Sequence, residues 1–79
     1  MPRLTEARKE LRRAQITEAA VRCFGRHGLE RTSITDITAE SGLSTGSIYA
    51  HYRNKAELIQ ATARATLEKR AEVIGQYAA

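Results

Sequence analysis

The sequence predicts an all-α domain, and three observations carry that prediction. Ala, Glu, Arg and Leu are abundant, Trp is absent, and the single Pro stands at position 2, so the chain is rich in helix formers with few breakers. Apolar residues recur at spacings of three and four, the period of one helix face. Ser, Asn and Gly stand where such helices would begin and end. At 79 residues the chain forms one small domain with a thin core.

The first helix is expected from about Ala7 to His27. Leu11, Ile16, Ala19, Ala20, Cys23 and Phe24 make its apolar stripe. Arg12, Arg13, Arg22 and Arg26 mostly fall elsewhere. Gly28 supplies a left-handed residue just past the end, and Arg26 and His27 lie in the last turn, where positive charge is favourable. Residues 1–10 read as a basic N-terminal arm ahead of the domain proper, which spans 11–54.

The second helix follows the link 29-LERT-32. Ser33 stands three residues before Asp36, as in a capping box. The helix runs from about Ile34 to Glu40, with Ile34 and Ile37 inward, and Gly42 makes the sharp turn that ends it. Ser44 then caps a third helix over Thr45 to Tyr52. At about 100° per residue, Ile48 and Tyr52 face the core, whereas Gly46 and Ala50 face away with Ser47 and Tyr49 beside them. Asn54 caps a fourth helix, with Glu57 completing a second capping box. Its apolar stripe is Leu58, Ile59, Thr62, Ala63 and Leu67.

Two short helices joined by a glycine turn and held on a longer first helix make a helix-turn-helix. The second helix of such a unit enters the DNA major groove. That role explains Gly46: a glycine inside a helix costs about 1 kcal/mol relative to Ala. A bare outer face lets the helix axis lie close to bases. Thr45 and Ser47 then reach base edges or phosphates, and Tyr49 lies against the sugar-phosphate wall. Lys55 stands in the first turn of the fourth helix, where free N–H groups already attract an anion.

These residues carry a family resemblance. The runs 16-ITEAAVRCFGRHG-28 and 32-TSITDITAESGLSTGSIYAHYRNKAEL-58 resemble the DNA-binding domain of the TetR (tetracycline-repressor-like) regulators, and the likeness covers about residues 10–67. It implies phosphate contacts from Thr32, Ser33, Tyr49, His51 and Lys55, and base-facing roles for Thr35, Thr45, Gly46, Ser47 and Ala50. It further implies a bacterial, cytoplasmic, nucleoid-associated regulator, a ligand-responsive repressor that binds a palindromic operator in double-stranded DNA. A C-terminal domain beyond this chain would form the homodimer and hold a small-molecule inducer, and residues 55–79 would lead toward it. Thr38 and Ser41 depart from the family's usual Ala, and each adds a hydroxyl that needs a partner.

Charge fits this reading. The formal charge is +4 and the pI is near 9.7, which suits a polyanionic partner. Residues 1–31 carry eight basic and four acidic groups, and residues 53–79 carry five and three; residues 32–52 have only Asp36 and Glu40. Affinity for the backbone must therefore come from the flanks, with Arg3, Arg8, Lys9, Arg12 and Arg13 as candidate arm contacts beside Lys55.

Other classes fit less well. The single Cys23 excludes an internal disulfide and suits a reducing cytosol. No apolar run approaches the ~20 residues of a membrane span, and the N-terminus lacks the apolar core of a secretory signal. Cys23 and His27 are one turn apart, but a zinc site needs two further ligands, and Cys23 lies on the apolar stripe; no metal or cofactor is expected. The run 42-GLSTGS-47 lacks the lysine of a phosphate loop, and no nucleophile has a base at recognisable spacing, so no enzyme is expected. The alternative is a helical protein- or membrane-surface-binding module using the basic first helix. That helix mixes Glu with Arg on its polar face and has no Trp, which disfavours insertion.

Overall fold

A computed structural model describes the backbone of residues 2–78 and the side chains of residues 5–76. The described residues form four helices and no strand: α1 (Pro2–His27), α2 (Ile34–Ser41), α3 (Thr45–His51) and α4 (Lys55–Ala78). α1 packs against α2 and α4, and α2 packs against α3.

α1 starts earlier than its apolar periodicity indicates. Pro2 occupies the first helical position, where its missing N–H costs nothing and its fixed φ suits the helix. Residues 2–10 are therefore continuous with α1 and do not form a separate arm. The helix ends as expected: Gly28 takes φ 83°, and its N–H donates to the Phe24 carbonyl at 2.8 Å.

The core is Ile16, Ala19, Ala20, Cys23, Ile37, Ile48, Tyr52 and Leu58, flanked by Phe24, Ile34, Leu43 and Ala61. Ala19 and Ala20 are small, so α1 lets its neighbours approach closely. Three expected stripe positions lie outside it. Leu11 is 71% exposed and Leu67 is 65% exposed, and Ala63 is exposed as well. The cause is reach: burial on α1 begins only at Ile16, where α2 and α4 first cover it. Toward the C-terminal half of α4 an open groove separates the two long helices, lined by Ala14, Thr17 and Val21 on one side and Ala65, Val73 and Ile74 on the other.

Polar groups within this small core are satisfied locally. Thr62 donates to the Leu58 carbonyl at 2.7 Å and Thr17 to the Ala14 carbonyl at 3.2 Å. Among the described residues no buried side-chain oxygen or nitrogen lacks a partner.

Candidate nucleic-acid interface

α2 is built by its caps. Ser33 Oγ accepts from the Asp36 N–H at 3.1 Å, and Asp36 Oδ2 accepts from the Ser33 N–H at 2.9 Å. The backbone and hydroxyl of Ser33 hold the Asp36 carboxyl below its usual range. At the other end Gly42 takes φ 75° and donates its N–H to the Thr38 carbonyl at 3.0 Å.

The two unusual hydroxyls both find partners. Thr38 donates to the Thr35 carbonyl at 2.6 Å. Ser41 donates to the Thr38 carbonyl at 3.3 Å and accepts from the Leu43 N–H at 3.2 Å. Ser41 thus ties the end of α2 to the turn before α3.

α3 then sets a nearly bare surface outward. Ser44 Oγ accepts from the Ser47 N–H and donates to the Ser47 hydroxyl, each at 3.1 Å. Ile48 and Tyr52 anchor the inner side. Thr45, Gly46 and Ala50 are exposed, Ser47 is half-buried, and Tyr49 is 48% exposed. A Cβ built on Gly46 would meet only Ser44 Oγ, at 3.8 Å, an ordinary contact. Nothing inside the molecule demands a glycine there.

The flanks carry the charge. Lys55 donates from Nζ to the Glu30 carbonyl at 3.1 Å, so its ammonium is held between α4 and the loop before α2. Asn54 Oδ1 accepts from the Glu57 N–H at 2.9 Å, but Glu57 turns its carboxylate to the Arg53 N–H at 3.3 Å, one residue short of the expected capping box. His51 is half-buried at the end of α3, its ring 6.4 Å from that of Tyr52. Burial, then Arg13, Arg12 and Lys9, push its imidazole below the ordinary range. Arg13 of α1 lines a shallow depression beside Tyr52. Arg8 is exposed on the same helix, and the side chain of Arg3 lies outside the described residues.

One expected phosphate contact does not survive. Thr32 is 1% exposed; its hydroxyl faces the Gly28 carbonyl at 2.7 Å and the Cys23 carbonyl at 3.1 Å. It locks the link to the end of α1 and is turned away from solvent. Its neighbour Ser33 and Thr35 are exposed.

The sequence reading missed one cluster. Glu40 on α2 pairs with Arg22 at 2.7 Å and with Arg26, both on α1. The available signal was the i,i+4 spacing of the arginines and the fact that Asp36, the other carboxylate of α2, serves the cap. Cys23 lies beneath this cluster, with its thiol 3.6 Å from the Asp36 carbonyl and pushed up by burial. Among the described residues no three His, Cys, Asp or Glu are placed to hold a metal ion.

The model of the bacterial regulatory proteins of the tetR family matches residues 16–62, more than half of the chain and the segment that contains this helix-turn-helix. The chain belongs to the TetR family. It is 48% identical over 61 residues to the HTH-type transcriptional regulator TtgR of Pseudomonas putida, covering 77% of this chain and 29% of that protein. It is 36% identical over 73 residues to the HTH-type transcriptional repressor Rv1474c of Mycobacterium tuberculosis, covering 92% of this chain and 39% of that one. To the repressor AcnR of Corynebacterium diphtheriae it is 34% identical over 76 residues, covering 96% and 40%. The chain thus spans between about three tenths and two fifths of these relatives. No solved structure matches it significantly. Within the TetR frame, α2 and α3 are the paired helices and α1 and α4 the supports that aim them.

Proposed function

We propose that this TetR-family chain is the DNA-reading part of a transcriptional regulator, with α3 entering the major groove. A single observation carries the reading: Gly46 and Ala50 leave the outer face of α3 bare although the fold has room for a side chain at Gly46. Thr45, Ser47 and Thr35 would face bases. Ser33, Tyr49, His51 and Lys55 would hold phosphates, joined by Arg8, Lys9, Arg12 and Arg13 from α1. Arg22 and Arg26 take no part, since Glu40 engages both.

By analogy with the repressors among its relatives, the intact protein would be a repressor. Its additional length would supply the homodimer contact and an inducer site, setting two heads about 34–36 Å apart on a palindromic operator. Recognition without chemistry is the proposed role, in the bacterial cytoplasm and on the nucleoid. Among the described residues no helix is long and apolar enough to cross a membrane, and nothing in the geometry favours the membrane-surface alternative.

Titration of a labelled duplex at several salt concentrations tests the reading. About five neutralised phosphates predict a slope of log K against log salt near −4 to −5. Lys55→Ala should weaken binding on all sequences and reduce the slope by about 1. A slope near zero would remove the DNA reading.

A further inference from the structure

Ser44 and Ser47 form one hydrogen-bonded pair at the start of α3. Ser44 Oγ accepts from the Ser47 N–H at 3.1 Å and donates to Ser47 Oγ, also at 3.1 Å. A serine hydroxyl has one proton to give and two lone pairs with which to receive. The Ser44 proton is therefore spent inside the pair, where it occupies one of the two lone pairs of Ser47. The Ser47 proton meets no acceptor among the described residues. The pair borders the bare patch of the helix: a Cβ built on Gly46 would lie 3.8 Å from Ser44 Oγ with nothing else near it. Thr45, Gly46 and Ala50 are exposed around the half-buried Ser47.

We propose that Ser44 is a positioning residue for base reading: by donating to Ser47 it makes Ser47 present its own proton to the major groove, so that the domain prefers a hydrogen-bond acceptor on the base edge that Ser47 meets. The inference rests on the DNA-reading role of α3 and names what one of its side chains selects. In the major groove guanine shows two acceptors and no donor, thymine one acceptor, adenine one of each, and cytosine a donor alone. Guanine is thus the favoured base opposite Ser47 and cytosine the disfavoured one. Ser44→Asp separates this role from capping. Asp receives the Ser47 N–H about as well as Ser does. Its carboxylate has no proton to donate and takes the Ser47 proton instead. Ser47 is then left with lone pairs only, and the order of guanine and cytosine reverses.

The test selects bound duplexes from a randomised pool at low salt, where backbone contacts hold most strongly. Positions whose base preference is abolished by Ser47→Ala are then compared across the variants. There the wild-type chain should favour guanine over cytosine by about two- to tenfold, the range of one hydrogen bond. Ser44→Asp should favour cytosine, whereas Ser44→Thr, with a hydroxyl that both accepts and donates, should keep the wild-type order. The added negative charge lowers affinity for every sequence, so the ratio of bases is the readout. Ser44→Gly retains much of the cap but has no hydroxyl. It should flatten the ratio without reversing it, a result that stands even if Ser44→Asp folds poorly. A folded Ser44→Asp or Ser44→Gly variant with the wild-type ratio, or the absence of any position that depends on Ser47, would overturn the role of Ser44 while leaving DNA binding intact. Failure to retain any duplex at low salt would overturn the DNA reading along with it.

Discussion

Arg22 Nε donates to Glu40 Oε2 across 2.7 Å, and Arg26 holds the other oxygen of the same carboxylate. The pair of bonds fastens α2 to α1. Arg26 first, then Arg22, hold the Glu40 carboxyl below its usual range, and Ser33 does the same for Asp36. A carboxyl with a lowered folded pKa stabilises the fold above its unfolded value, near 4, and loses that contribution as pH falls through the folded value. Urea midpoints should therefore drop in acid below about pH 4. Glu40→Gln should show a lower midpoint at neutral pH and a flatter acid limb. Coincident pH profiles for variant and wild type would show that the pair does not stabilise the fold.

Gly46 separates folding from recognition. Gly46→Ala adds a methyl in open space at 3.8 Å from Ser44 Oγ, so stability should hold or rise by up to about 1 kcal/mol. Against DNA the same methyl meets a close surface, where overpacking costs about 1–3 kcal/mol, roughly five- to 150-fold in Kd. Equal DNA affinity for the two proteins in a binding titration would remove the argument for close main-chain approach.

Thr32 should act on stability and not on DNA contact. Thr32→Val leaves the Gly28 and Cys23 carbonyls without a hydroxyl partner and should cost about 1 kcal/mol of stability or somewhat more, read by chemical denaturation. DNA affinity per folded molecule should not change. A Thr32→Val variant of full stability and weakened DNA binding would restore the phosphate contact that burial argues against.

Gly25 offers a stability gain without a functional cost. It lies inside α1, exposed, and a Cβ there would find nothing within 4 Å. Gly25→Ala should stabilise the domain by roughly 0.5–1 kcal/mol and leave DNA binding alone. A lower thermal midpoint for the variant would contradict it.

Much of this architecture was legible because its markers are local. Gly28 and Gly42 adopt the left-handed conformation their positions suggested. Ser33, Ser44 and Asn54 each accept from a backbone N–H three residues on. Ile37, Ile48 and Tyr52 are buried as their spacing requires. The errors share a different character. Leu11 and Leu67 satisfy the helical period yet face water, because periodicity shows which residues share a face and not how far a neighbour covers it. Thr32 fits a surface motif, but the path of the link turns its hydroxyl inward.

The sequence alone determined, to within one residue, where α2 and α3 start and stop and which face of α3 stays bare, since caps, turns and side-chain phase are settled within about four residues, one turn of helix. Only the tertiary structure decided which cations remain available. Glu40 lies 18 residues from Arg22, and His51 lies far along the chain from the α1 cations that act on it. Such partners are chosen by the angles at which packed helices cross, and those angles follow from the joint burial of Ile16, Ala19, Ala20, Ile37, Ile48 and Leu58, not from any one segment.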